Sequence, residues 1–161
     1  MHAGTRPDAR PLPSSRMSTV WTIGYERLLP AELVAELQAA GVRRLIDVRH
    51  RPQSRRAGMS KTRLGELLGD HGIAYEHRRA LGTPPDIRWF YKNNRVAEGA
   101  DAFRRHVEAD AGDELDALAA ELDGGPATAL MCLEAEPGTC HRRILTDELR
   151  RRRPGLRVID L

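Results

Sequence analysis

Apolar positions fall into short runs separated by amphipathic stretches, and the two alternate along the chain. "VWTIG", Val20 to Gly24, is an apolar run closed by glycine and predicts a first strand. Leu29, Leu33, Val34 and Leu37 then recur at helical spacing, with Pro30 suited to the first turn and Gly41 to the position just past the end. "RLIDVR", Arg44 to Arg49, predicts a second strand, and the basic loop "HRPQSRRAGM" follows it. "SKTRLGELLGDHG" predicts a helix with Ser60 as N-cap and Gly72 as its stop. "IAYEHR" predicts a third strand. Arg79 to Asn94 reads as a loop containing Pro84-Pro85 and the aromatic cluster Trp89-Phe90-Tyr91. Two helices are expected around Val96–Glu108 and Asp113–Leu122, separated by Gly124–Pro126 from a fourth strand, "ATALMCLE". Thr139 to Arg153 predicts the last helix and "LRVIDL" the closing strand.

Strands alternating with helices in this way predict a single α/β domain over residues 18–161, a mainly parallel sheet with helices on both faces in three layers. No internal repeat is visible. Residues 1–17 carry Pro, Ser, Arg and Gly but almost nothing to bury, and read as a disordered lead-in, with Met17 as an alternative start.

The chain has 161 residues, enough for one domain with a real core. No apolar run approaches the roughly 18–20 residues of a membrane span, and the N-terminus has no apolar signal region. A cytoplasmic protein with no membrane partner is expected. The only two cysteines, Cys132 and Cys140, make no disulfide framework, and both thiols are expected free. Net charge is +3, and all but Lys61 and Lys92 of the basic residues are arginine. That balance suits an arginine-rich, GC-rich composition better than a dedicated nucleic-acid binder.

In an open parallel sheet, ligands bind beyond the carboxyl ends of the strands. That rule selects Gly24 and Tyr25, then Asp47 and Arg49 running into "RPQSRR", then Cys132 and Glu134. Polar residues inside apolar strands are costly unless paired, so Asp47 and Glu134 are informative. Thr139 reads as an N-cap that places Cys140 and His141 in the first turn of the last helix, where free N–H groups bind anions and lower a thiol's pKa.

Several chemistries compete for these residues. No arginine stands six residues after either cysteine, which argues against a phosphatase-type loop. Cys132, Cys140 and His141 offer three zinc ligands, but in no standard spacing, and no metal is assigned. Cys140 is a candidate nucleophile, with His141 a poor base because helical neighbours point apart. Glu134 and Asp47 form a carboxylate pair or, equally, two arginine-held structural groups. Arg49, Ser54 and Arg55 offer a phosphate clamp, set against a merely solvated charge run. Trp89–Tyr91 offers a stacking lid or a loop anchor.

"TIGYE", "LIDVRHRPQSRR" and "LMCLEAEPGTCHRRIL" resemble the three characteristic blocks of the domain of unknown function 488 family. The resemblance implies a small bacterial or archaeal cytosolic α/β protein. It places characteristic positions on Gly24, Asp47, Arg49, Pro52, Ser54, Arg55, Cys132, Glu134, Cys140, His141 and Arg142. Many relatives carry His where Tyr25 stands. No reaction follows from it. The expectation is therefore an enzyme with Cys140, Glu134 and Asp47 as catalytic groups. Gly24, Tyr25, Arg49, Ser54, Arg55, His141 and Arg142 would bind an anionic, phosphorylated or nucleotide-like substrate. A non-catalytic nucleotide or nucleic-acid module using the same cleft is the alternative, and any cofactor is unidentified.

Overall fold

Five short strands pair side by side in a computed structural model that describes residues 17–161. Residues 1–16 of the expected lead-in lie outside the described residues. The strands are β1 (Thr19–Gly24), β2 (Arg44–Asp47), β3 (Ala74–His77), β4 (Thr128–Cys132) and β5 (Arg157–Asp160). All neighbours are parallel, in the order β3-β2-β4-β1-β5. The expected α/β fold with a parallel sheet is thus observed.

Side chains alternate across the sheet, and this alternation divides the core in two. Leu45, Ala129 and Met131 face α1 (Pro30–Ala39) and α2 (Lys61–Asp70), where Leu33, Leu37, Leu64 and Leu68 complete one cluster. Ile46, Val48, Leu130 and Cys132 face the opposite way, against Phe103, Leu115, Ile144 and Leu149. The second layer comprises α3 (Pro85–Lys92), α4 (Val96–His106), α5 (Gly112–Glu121) and α6 (Arg142–Arg152). Three layers result, as the strand–helix alternation predicts.

Local chemistry explains where elements stop. Gly41 and Gly72 end α1 and α2 with φ of 75° and 73°, a conformation open to glycine and strained for side chains. Ser60 precedes α2 but does not cap it; its hydroxyl accepts the Ser54 N–H at 3.0 Å instead and closes the basic loop.

Two expectations need correction. The stretch read as a loop contains α3, because Pro85 sits in the first turn where its fixed φ is already helical and its missing N–H costs nothing. The expected break between the next two helices is a single π-helical turn, Val107–Ala111, that joins α4 to α5. Phe103, Val107, Ala111 and Leu115 recur every fourth residue and are all buried in one core cluster, so the helical path continues.

Asp47 ends β2 inside the protein, with no exposed surface. Its carboxylate accepts hydrogen bonds from Arg49 Nε at 2.9 Å, Arg49 Nη2 at 2.7 Å, the Arg49 backbone N–H at 3.0 Å and the Tyr75 hydroxyl. Arg49 also donates to Tyr25 Oη at 3.1 Å and the Met59 carbonyl at 2.8 Å. Burial opposes the guanidinium charge, but the hydrogen bonds and charge of Asp47 outweigh it and hold Arg49 above its ordinary pKa. One ion pair thereby ties β1, β2, β3 and the basic loop together. Truncation of one buried partner strands the other. Asp47→Ala should therefore lose about 3–5 kcal/mol in urea-induced unfolding; a loss under about 1 kcal/mol, typical of exposed pairs, would contradict this account.

Candidate functional site

The chain leaves β2 toward β3 on one side and leaves β4 toward β5 on the other, although β2 and β4 are neighbours. Connections that diverge from adjacent strands open a crevice at their carboxyl ends. A small cavity of about 40 Å³ lies there. Its lining comes from both strand ends: Arg49, His50, Arg51 and Gln53 after β2, and Cys132, Leu133 and Glu134 from β4. Tyr25 after β1, Thr83, Arg88 and Tyr91 around α3, and Cys140 and His141 before α6 complete it.

Two glycines allow the segments around this cavity to approach. A Cβ on Gly24 would lie 1.7 Å from the Glu134 carbonyl oxygen, and one on Gly82 would lie 2.4 Å from the His50 nitrogen. Gly24 is therefore a packing position, not a ligand contact. Arg142 secures the same segment from behind. Its side chain is 1 % exposed and donates to the Glu134 carbonyl at 2.7 Å. Arg142, expected at the anion site, does not line the cavity: its Nη2 donates to backbone carbonyls, and its Nε is buried without a partner among the described residues.

The two carboxylates separate. Asp47 points to the α1/α2 side, into the Arg49 pair, whereas Glu134 lies two residues beyond Cys132 and lines the cavity. Alternation along adjacent strands puts them on opposite faces, so they do not form an acid–base pair. Asp47 is structural. Glu134 receives no side-chain hydrogen bond from an arginine among the described residues; Cys132 Sγ lies 3.3 Å from its Oε2. Burial raises the Glu134 pKa above its ordinary value, against a lowering by Arg88 and Arg142.

The last helix begins later than expected. Pro137–Thr139 forms a 3₁₀ turn, Cys140 is extended (φ −134°, ψ 151°), and His141 is the residue before α6. Because Cys140 is extended rather than helical, the rule that helical neighbours point apart does not apply. Its Sγ lies 3.6 Å from His141 Nδ1 and accepts the Arg142 N–H, the first of the helix, at 3.5 Å. His141 Nε2 lies 2.8 Å from the Val48 carbonyl, which can only accept. Nε2 therefore carries the proton and Nδ1 keeps its lone pair toward Cys140. Phe103 packs edge-on against this ring with centroids 5.2 Å apart. Burial lowers the His141 pKa to about 4, so the ring is neutral at pH 7 and is not the anion-binding cation expected.

Cys132 and Cys140 are not two separate free thiols. The structure pairs their sulfurs as a disulfide, across a Cα–Cα separation of 7.7 Å, so the expectation of two free thiols is not met. The donor atoms of Cys132, Cys140 and His141 all lie within 4.8 Å of one another, and all three residues are buried. These three could hold a metal ion.

Ser54 and Arg55, both expected at the anion site, do not line the cavity. Ser54 Oγ accepts the Arg56 N–H at 3.1 Å, and Arg55 is exposed. Arg56, not Arg55, is the structural arginine of this loop, donating to the carbonyls of Tyr25, Glu26 and Leu28. Tyr25 is 3 % exposed and lines the cavity as expected, with its hydroxyl accepting from Arg49.

The family model described as Domain of unknown function DUF488 matches residues 30–149. The chain belongs to this family. No curated protein and no solved structure matches the chain.

The blocks that mark the DUF488 resemblance meet at the cavity, but its basic groups come partly from elsewhere. His50 and Arg51 lie within the second block. Thr83, Arg88 and Tyr91 come from the stretch read as a loop, and no spacing in the sequence ties them to β4. The Tyr91 hydroxyl is buried without a hydrogen-bond partner among the described residues. Burial pushes its pKa up to about 12. A groove of about 310 Å³ continues outward from the cavity, sharing His50, Arg51, Thr83 and Arg88 and adding Trp89 and Lys92. Trp89 is 49 % exposed there.

Gly24→Ala should force the β1 end and the Glu134 segment apart. The expected cost is about 1–3 kcal/mol, the usual range for overpacking, read as a lowered thermal midpoint. Gly138→Ala, where a Cβ meets nothing within 4 Å, should leave the midpoint near wild type. Equal midpoints for both variants would show that the close approach is absent.

Proposed function

We propose that this DUF488 protein is an enzyme that acts on a small phosphorylated, nucleotide-like substrate held at the β2/β4 crevice. The observation that carries this reading is the position of Glu134. It stands in the cavity with its pKa raised by burial, next to a groove lined by His50, Arg51, Arg88 and Lys92. Phosphate is matched by guanidinium groups, which donate to it in pairs. Trp89 offers an exposed face on which a base stacks. The groove falls within the roughly 300–1,000 Å³ of small-molecule sites. A carboxyl group with a raised pKa holds a proton more readily than a free one and is suited to passing it to and from a substrate. In this reading Arg51 and Arg88 hold the phosphate, Trp89 the ring, and Glu134 moves the proton. Cys140 lines the same cavity, with its sulfur against Cys132. No helix among the described residues is long and apolar enough to cross a membrane. A cytoplasmic setting accords with the proposal and would keep the Cys132–Cys140 pair reduced.

The test uses AMP as a binding probe and a panel of nucleoside and sugar phosphates, with products followed by mass spectrometry. Arg51→Ala together with Arg88→Ala should weaken AMP binding by about tenfold or more, the loss of a charge-assisted hydrogen bond or two. Glu134→Gln should leave AMP affinity within about threefold and cut product formation by about 100-fold. AMP bound equally well by wild type and the double variant would remove the phosphate assignment. Binding without turnover of any panel member, with steep salt dependence toward oligonucleotides, would instead establish a non-catalytic nucleotide or nucleic-acid module.

A further inference from the structure

We propose that Cys132, Cys140 and His141 bind a divalent transition metal, zinc by preference, with the fourth coordination position open to the cavity. This inference does not rest on the identity of the substrate.

Donor chemistry is the first argument. Two sulfurs and one imidazole nitrogen form the Cys₂His set that zinc takes when a fourth position is left for water or substrate. Two thiolates cancel the charge of a dication, so the centre is neutral inside a buried site.

Geometry is the second. In a tetrahedral zinc site a sulfur and a nitrogen ligand stand about 3.5 Å apart, from bond lengths of about 2.3 and 2.0 Å. Cys140 Sγ and His141 Nδ1 are 3.6 Å apart. The Cα atoms of the two cysteines are 7.7 Å apart, more than the roughly 4.4–6.8 Å that a relaxed disulfide spans. Once the pair is reduced, two thiolates parted around one metal ion suit that separation.

The supporting contacts are the third. Metal-binding histidines usually donate their other ring N–H to a carbonyl or carboxylate, which fixes the tautomer and aims the lone pair. His141 does this toward the Val48 carbonyl at 2.8 Å. The Arg142 N–H directed at Cys140 Sγ favours a thiolate over a thiol.

The cavity supplies the fourth position. Cys132, Cys140 and His141 all line it, and its volume of about 40 Å³ exceeds the roughly 10–15 Å³ that one water needs. Glu134 and the unpartnered Tyr91 hydroxyl line the same space. A metal-bound water there loses its proton more readily than bulk water.

The full chain, purified with a reductant and stripped of metal, would be titrated with Co²⁺ and then Zn²⁺. The expected result is about one ion per chain, with tetrahedral d–d bands and a thiolate-to-cobalt band that zinc abolishes. Cys140→Ser and His141→Gln should each weaken cobalt binding by about 100-fold while circular dichroism confirms the fold. If either variant fails to fold, zinc protection of both wild-type cysteines from alkylation decides the matter. Glu134→Gln should keep the cobalt bands, and azide should shift the d–d bands of wild type through the open position. A reduced protein that binds no cobalt, shows no thiolate-to-cobalt band, or re-forms a Cys132–Cys140 disulfide in the presence of excess zinc would overturn the proposal. Since metal loading is read without substrate, its failure is distinguishable from a failure of AMP binding or turnover.

Discussion

The buried Asp47–Arg49 pair is the constraint on which the site depends. A carboxylate and a guanidinium removed from water cost several kcal/mol each unless every lone pair and N–H is used. Here the demand is met by recruiting neighbours: Tyr75 from β3, Tyr25 from the end of β1 and the Met59 carbonyl from the basic loop. The main chain after Arg49 is held as well, since the Arg49 carbonyl lies 2.7 Å from His77 Nε2. His50 and Arg51 therefore leave β2 in a defined direction, toward the cavity. Arg49 lines one side of the site, and its pairing with Asp47 behind it organises that side.

Topology places the remaining groups. The crevice exists because neighbouring β2 and β4 send their connections in opposite directions, and its floor is made by residues just past the strand ends. On the β4 side the chain must turn abruptly after Glu134. Gly24 permits that turn by close approach, and Arg142 binds the carbonyls of Glu134 and Ala135 at 2.7 and 3.4 Å. Extended backbone at Cys140 then brings its sulfur back against Cys132 and His141. A polar cluster of this kind is costly to bury and gains little stability, which is why it carries the functional argument.

Much of the fold was legible in the sequence. Strand runs such as "VWTIG" and "LIDV" are short, apolar and closed by glycine or charge, and the helices of α1 and α2 show clear periodicity with glycine stops. The strand-end rule alone led to Tyr25, Arg49, Cys132 and Glu134, which do line the cavity. What could not be read is instructive. The second proline of Pro84-Pro85 starts a helix, so the stretch that supplies Arg88 and Tyr91 looked like a loop. Asp47 and Glu134 read equally as an acid–base pair, if their strands were neighbours, or as arginine-held groups; the strands are neighbours, but the phase of the side-chain alternation puts the two on opposite faces and Asp47 in the grip of Arg49. Cys140 looked helical, and its extended conformation alone turns an unfavourable spacing into a cluster of three donors.

The central claim is that the β2/β4 crevice is where this DUF488 protein engages its ligand. The most direct measurement is a backbone and indole ¹⁵N NMR titration of the full chain with AMP. Shifts confined to residues 50–53, 83, 88–91 and 132–134, together with the Trp89 indole, are the predicted result. Shifts concentrated at the opposite end of the sheet, around residues 152–156, or no shift at any site, would contradict it.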